Sequence, residues 1–138
     1  MARILGIDYG TKRTGIAATD PLQIIVNAVD TVATNELWAF LQDYLEREEV
    51  EKIVIGEPLT LDGKPAKITP LIVGFKRKIA KAYPHLEIAS HDERFSSVAA
   101  KQIILQSGIK KKKRRDKSLV DKISAVLILQ DYLGHNTF

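Results

Sequence analysis

The chain has no cysteine, one tryptophan, one methionine and three histidines. Without cysteine there is neither a disulfide framework nor a thiolate metal site, which sets aside small secreted scaffolds and zinc-ribbon folds. The histidines, His85, His91 and His135, lack ligand spacing. His91 lies beside an acidic motif and could move protons, although a lone histidine is more often structural. No apolar run approaches the roughly 18 residues that span a bilayer. The N-terminus, Met1-Ala2-Arg3-Ile4-Leu5-Gly6-Ile7-Asp8, has too short an apolar run for a signal peptide and soon meets an acid. The expectation is a cytoplasmic protein with no membrane partner.

What is present is globular. The chain has 138 residues, 45% of them hydrophobic and 28% charged, which suits one folded domain over 1–138. Its net charge of +4 hides an asymmetry. Residues 110–117 read Lys-Lys-Lys-Lys-Arg-Arg-Asp-Lys, a net +6, so the remainder carries −2. Such a run is either a solvated loop or a phosphate-binding arm for a polyanion.

Strand and helix periods alternate along the chain. Residues 3–8 read as an apolar strand ending at Asp8. Tyr9-Gly10-Thr11-Lys12 reads as a tight turn in which Gly10 is free to take positive φ, and 13–19 as the returning strand. A third strand is expected over 24–31. Leu37, Trp38, Leu41, Tyr44 and Leu45 share one face of a helix over 35–48. Lys52–Gly56 is apolar on both faces, as a buried parallel strand would be. Residues 57–67 read as a loop. Thr69-Pro70 predicts an N-cap followed by proline at the first helical position, in a helix that buries Leu71, Ile72, Phe75 and Ile79. Residues 86–90 form a short strand, Ser96 or Ser97 caps a helix running to about Ser107, and a last helix spans about 118–133. The order βββαβαβα, basic loop, α predicts an α/β fold: a mixed five-stranded sheet with helices on both faces. In open α/β sheets ligands gather at the carboxyl ends of the strands, where Asp8, Glu57 and Glu93 all fall.

Three acidic motifs stand out: Gly6-Ile7-Asp8-Tyr9-Gly10-Thr11-Lys12-Arg13, Asp92-Glu93-Arg94-Phe95-Ser96-Ser97 and Asp121-Lys122-Ile123-Ser124-Ala125. Brought together, Asp8, Glu93 and Asp121 would form a carboxylate cluster suited to magnesium or manganese, a common means of cutting phosphodiesters. Each acid also has a simpler reading. Asp8 could accept turn amides, Glu93 could lie in a loop stabilised by an Arg94–carboxylate pair, and Asp121 could answer a helix dipole. The dipole does not explain the small face below Asp121, where Ser124, Ala125 and Ile128 follow at helical spacing. That face would let the helix approach the sheet closely.

At these residues the chain resembles the YqgF family, also called RuvX or Holliday-junction-resolvase-like. The likeness covers nearly the whole chain. It rests on Gly6 to Ala17, on Gly56-x-Pro58 with Asp62-Gly63, on Asp92-Glu93-Arg94-x-Ser96-Ser97, and on Asp121-x-x-Ser124-Ala125-x-x-Ile128-Leu129. The resemblance implies an RNase H-like fold and a divalent-metal-dependent nuclease. It implies maturation of the 5′ end of the small-subunit (16S) ribosomal RNA precursor, with DNA four-way-junction resolution as the older proposal. The family's acidic positions carry over to Asp8, Glu93 and Asp121. Glu57 departs from the pattern by adding a carboxylate where an apolar residue is usual.

The mechanism expected from this resemblance has two ions roughly 4 Å apart, anchored by Asp8 and completed by Glu93 and Asp121. Lys12, Arg13 and the basic run, including Lys111, Lys112, Lys113, Arg114 and Arg115, would hold phosphates. Arg94 and the helix start at Ser96 would orient the scissile strand. Two rivals stand beside it. Asp8-x-Gly10-Thr11 also resembles the phosphate turn of sugar kinases and actin-like proteins, which need two lobes. The other rival is a catalytically silent RNA-binding module. A junction resolvase would need a homodimer, and the sequence leaves monomer or homodimer open.

Overall fold

The computed structural model describes residues 2–57, 67–92 and 117–134, with side chains of the last stretch described from residue 122 onward. The predicted helix after Ser96, the basic run from Lys110 to Asp116, the loop residues 58–66, and Glu93, Arg94 and Ser96 lie outside the described residues. Lys117, the last residue of the run, opens the final helix.

Strands β1 (Arg3–Asp8), β2 (Arg13–Thr19) and β3 (Val26–Ala33) form an antiparallel meander. A single 3-10 turn over Thr34–Glu36 leads into helix α1 (Leu37–Arg47). Strand β4 (Val50–Glu57) then returns parallel to β1. Helix α2 (Thr69–Ala82) leads to β5 (Glu87–Asp92), parallel to β4. Helix α3 (Lys117–Tyr132) follows and is closed by Gly134 at φ 77°. The described strands make one five-stranded sheet in the order β3-β2-β1-β4-β5. No described helix is long and apolar enough to cross a membrane.

The sheet is covered on both faces, as the alternating pattern predicts. Leu5, Ile7, Ile16, Ile53 and Ile55 point to one side, where they pack against Leu37, Leu41 and Tyr44 of α1 and Ile72, Phe75 and Ile79 of α2. Ile4, Ala17, Val26 and Val54 point to the other, where Ala125, Ile128 and Leu129 of α3 cover them. Period-two alternation sorts each strand between two cores. That both sides of β1, β2 and β4 are apolar reflects central strands buried on both faces, while β3 and β5 are partly exposed.

Four local expectations fail for identifiable reasons. Strand β3 starts at Val26, not at residue 24, because the Asp20 carboxylate captures the amides of Ile24 and Ile25 at 2.7 and 2.9 Å. Those bonds, Ile25's first, hold the Asp20 carboxyl below its ordinary range. They also leave Ile24 and Ile25 63% and 57% exposed. Thr69 is the first residue of α2 rather than its cap. Ile68 takes the cap position, and its carbonyl accepts from Leu71 and Ile72 at 3.0 and 3.2 Å. Leu71 is 54% exposed, since it lies about 100° round the helix from Ile72 and outside the arc that Ile72, Phe75 and Ile79 bury. Gly10 does not take positive φ. Its need for glycine is steric: a Cβ there would stand 2.2 Å from the Arg13 carbonyl oxygen.

Candidate active site

The carboxyl ends of β1, β4 and β5 lie side by side at one edge of the sheet. Each ends on an acid: Asp8, Glu57 and Asp92. Register separates them by face. Ile7 pairs with Ile55, so Asp8 comes level with Gly56, and Glu57 pairs with Asp92. Asp8 continues the Ile4–Gly6 row that faces α3. Glu57 and Asp92 alternate to the side of α1 and α2. The extra carboxylate that Glu57 adds is therefore on the opposite face from Asp8. Among the described residues no three acids or histidines are grouped as a metal site would require.

The turn after Asp8 is held from behind. Thr34 donates its hydroxyl to the Gly10 carbonyl at 2.6 Å, and its backbone amide bonds the Lys12 carbonyl at 3.0 Å. The buried Thr14 hydroxyl meets the Thr34 hydroxyl at 2.9 Å. These contacts clamp the 9–12 turn to the end of β3, so Asp8, the exposed Lys12 and the half-buried Arg13 keep a fixed relation. Thr34 carries no signal in the sequence, because it acts on a turn 24 residues away. Tyr9 packs its ring against Phe75 at 5.3 Å, tying the same turn to α2.

Helix α3 reaches this edge through a gap left by Gly6. A Cβ on Gly6 would stand 2.9 Å from the Leu129 Cβ and 3.1 Å from the Ala125 carbonyl oxygen. The small face expected on this helix is thus used as predicted: Ser124, Ala125 and Ile128 are all buried. Further along, the Tyr132 hydroxyl meets Lys52 Nζ at 2.9 Å, and Lys52 is in register with Ile4. The helix thus passes over Gly6 of β1 and ends beside β4 and β5, where Tyr132 and Asp131 meet Lys52 and His91. Residue 121 lies one turn before Ala125, about 6 Å along the axis. Asp8 lies two residues beyond Gly6, a similar distance along the strand. The Ser124 hydroxyl, one turn after Asp121, is buried without a hydrogen-bond partner among the described residues.

His91 is held by α3. Its Nε2 pairs with Asp131 of α3, and its ring meets Tyr132 edge-on with centroids 6.2 Å apart. Lys52 completes this contact by bonding Tyr132 and Glu87, and the Tyr132 bond, the larger cause, holds its ammonium pKa above the ordinary range. These side chains fasten β4, β5 and α3 together. Asp131, Tyr132 and Lys52 have no motif to mark them.

The chain matches the family described as "RuvX: Holliday junction resolvase" over residues 2–135. Among curated relatives, a protein of Porphyromonas gingivalis is 51% identical over 135 residues, covering 98% of each chain. One of Flavobacterium psychrophilum is 50% identical over 133 residues, covering 96% of this chain and 97% of the other. Both are named "Putative pre-16S rRNA nuclease". Among solved structures, the Fowlpox virus resolvase bound to Holliday junction DNA superposes with a TM-score of 0.60 at 12% identity, covering 99% of each chain. RuvC of T. thermophilus, also with a junction substrate, gives 0.57 at 16%, covering 98% of each. At these identities the likeness is one of fold, and it makes the sheet and its helices RNase H-like.

Proposed function

This chain belongs to the RuvX family, and from that premise we propose that it is a divalent-metal-dependent nuclease that processes the 5′ end of pre-16S rRNA. The reading treats residues 1–138 as one catalytic domain. Its strongest structural support is the close crossing of α3, the helix that carries Asp121, over Gly6, two residues before Asp8. Glu93 follows β5 directly and is the third acid of the proposed site.

The donors fit a hard cation. Asp8, Glu93 and Asp121 offer only oxygen, the His91 Nε2 pairs with Asp131, and cysteine is absent. Magnesium or manganese bound there would supply a polarised water and offset charge on the departing oxygen. The chain's own groups do the rest. Asp8 anchors the site on a strand that cannot shift without breaking two ladders. Lys12 and Arg13, on the clamped turn, hold phosphates on one side of the scissile bond. Arg94 and Ser96 would orient the scissile strand, and Lys111, Lys112, Lys113, Arg114 and Arg115 would add salt-dependent affinity.

The test compares a 5′-extended ribosomal RNA precursor fragment with a four-way DNA junction, each in magnesium, manganese and chelator. RNA cutting that needs metal and is lost in Asp8→Asn supports the proposal. Paired symmetric cuts in the junction would replace it with a resolvase, the reading that the family description favours. RNA binding that is indifferent to chelator, with no cutting, would leave a binding module.

A further inference from the structure

Helix α2 carries four cations, Lys76, Arg77, Lys78 and Lys81, and no acid. With a net charge of +4 overall, +6 in the 110–117 run and +4 in this helix, the remainder of the chain carries −6. The exposed side of this helix is thus basic, while the chain outside it and outside the 110–117 run is acidic on balance.

Among the described residues, three of these cations are not spent on ion pairs. Arg3, Arg47 and Lys52 each have a carboxylate within reach. Arg77, Lys78 and Lys81 are exposed, and none forms a salt bridge among the described residues. Lys78 instead lies over the Trp38 ring at 4.3 Å. Tyr83 follows Trp38 at 6.3 Å between centroids, and His85 follows Tyr83 at 6.3 Å. A helix that needed charge only for solubility would mix signs, as α1 does with its Asp43–Arg47 pair. Cations interleaved with aromatic rings are how proteins hold single-stranded nucleic acid.

The strip starts near the end of the sheet where β1 ends in Asp8, on the opposite face. Lys76 Nζ contacts Ser90 Oγ, two residues before Asp92 at the carboxyl end of β5. From there Arg77, Lys78 and Lys81 lead away on the sheet face opposite α3. We infer that the exposed face of α2 is a second phosphate-binding track, which takes the single-stranded RNA flanking the scissile bond. This rests on the nuclease reading and deepens it by giving the substrate a path.

The test is equilibrium binding of a labelled single-stranded RNA between 50 and 200 mM salt, on an Asp8→Asn background so that nothing is cut. A second protein adds Arg77→Gln, Lys78→Gln and Lys81→Gln. Every phosphate that the protein ceases to neutralise takes about 0.7 off the log–log salt slope, so the triple change is expected to flatten it by about 2 and weaken low-salt binding about tenfold or more. Arg77→Lys in place of the glutamine should restore its share. Arg47→Gln alters the net charge by one unit elsewhere and should leave the slope unchanged. If the parent binds with a salt-dependent slope and the triple variant matches it, the track is wrong while the nuclease proposal stands. If the parent itself binds no RNA, both fall.

Discussion

The two faces of the sheet are built to different rules. On the α1 and α2 side, large side chains such as Leu5, Ile7, Ile53, Ile55, Leu41 and Phe75 fill the space between layers. On the α3 side the central contact is made by what is missing: Gly6 and Ala17 on the sheet, Ser124 and Ala125 on the helix. Bulky residues hold a helix at a distance and bury area, which stabilises the fold. Small residues let backbones approach, which fixes position. In this chain the first face supplies stability and the second fixes how closely α3 crosses β1, two residues before Asp8.

That contrast can be broken in graded steps. The largest effect should come from Asp8→Asn, with cleavage of the RNA precursor reduced by at least about a thousandfold and the melting temperature scarcely moved. Loss of fold alongside loss of activity would mean that Asp8 is structural. Next is Leu41→Ala on the first face, expected to cost about 2–5 kcal/mol of unfolding free energy in urea, with cleavage per folded molecule unaltered. Gly6→Ala on the second face adds one carbon where 2.9 Å is available. It should cost about 1–3 kcal/mol through overpacking yet depress cleavage more than Leu41→Ala does. Equal activity per folded molecule in the two variants would erase the distinction between the faces.

Two smaller effects sharpen it. Glu57→Gln should leave cleavage within several-fold of the parent, because Glu57 alternates away from Asp8; a loss as deep as that of Asp8→Asn would put both acids in one site. Asp20→Ala should lower the melting temperature slightly at neutral pH. The Asp20 pKa is held below its ordinary value of 3.8 in the folded state, so its contribution is present above that pH. It fades as pH falls through the folded value, where both states are protonated. Melting curves of parent and variant should therefore converge in acid, and a gap that persisted there would show that the amide bonds do not depend on the charge.

Much of this is legible in the chain. The two-sided burial of β1 and β4 follows from unbroken apolar runs, and the inward face of α3 from Ser124, Ala125 and Ile128 at helical spacing. What escapes depends on distant partners or on competition for backbone groups. A strand pattern misplaces the start of β3 because Asp20 takes amides that the pattern assigns to a ladder. Thr69 has the residue type of a cap, but its hydroxyl is buried with no partner among the described residues. The basic face of α2 does not show in the apolar period of that helix. The acids themselves are visible only as residue types in short motifs. That Asp8 and Glu57 face opposite ways follows from register, which depends on strand pairing rather than on either motif.

The most direct test of the central claim is manganese binding, followed by the paramagnetic signal of the free ion, in the parent, Asp8→Asn and Asp121→Asn. If β1 and α3 meet to hold one metal site, both variants should lose affinity to a similar degree, about tenfold or more, with melting temperatures preserved. Undiminished manganese binding in Asp121→Asn, with Asp8→Asn impaired, would contradict the account: α3 would cross close over Gly6 without delivering its acid to the site.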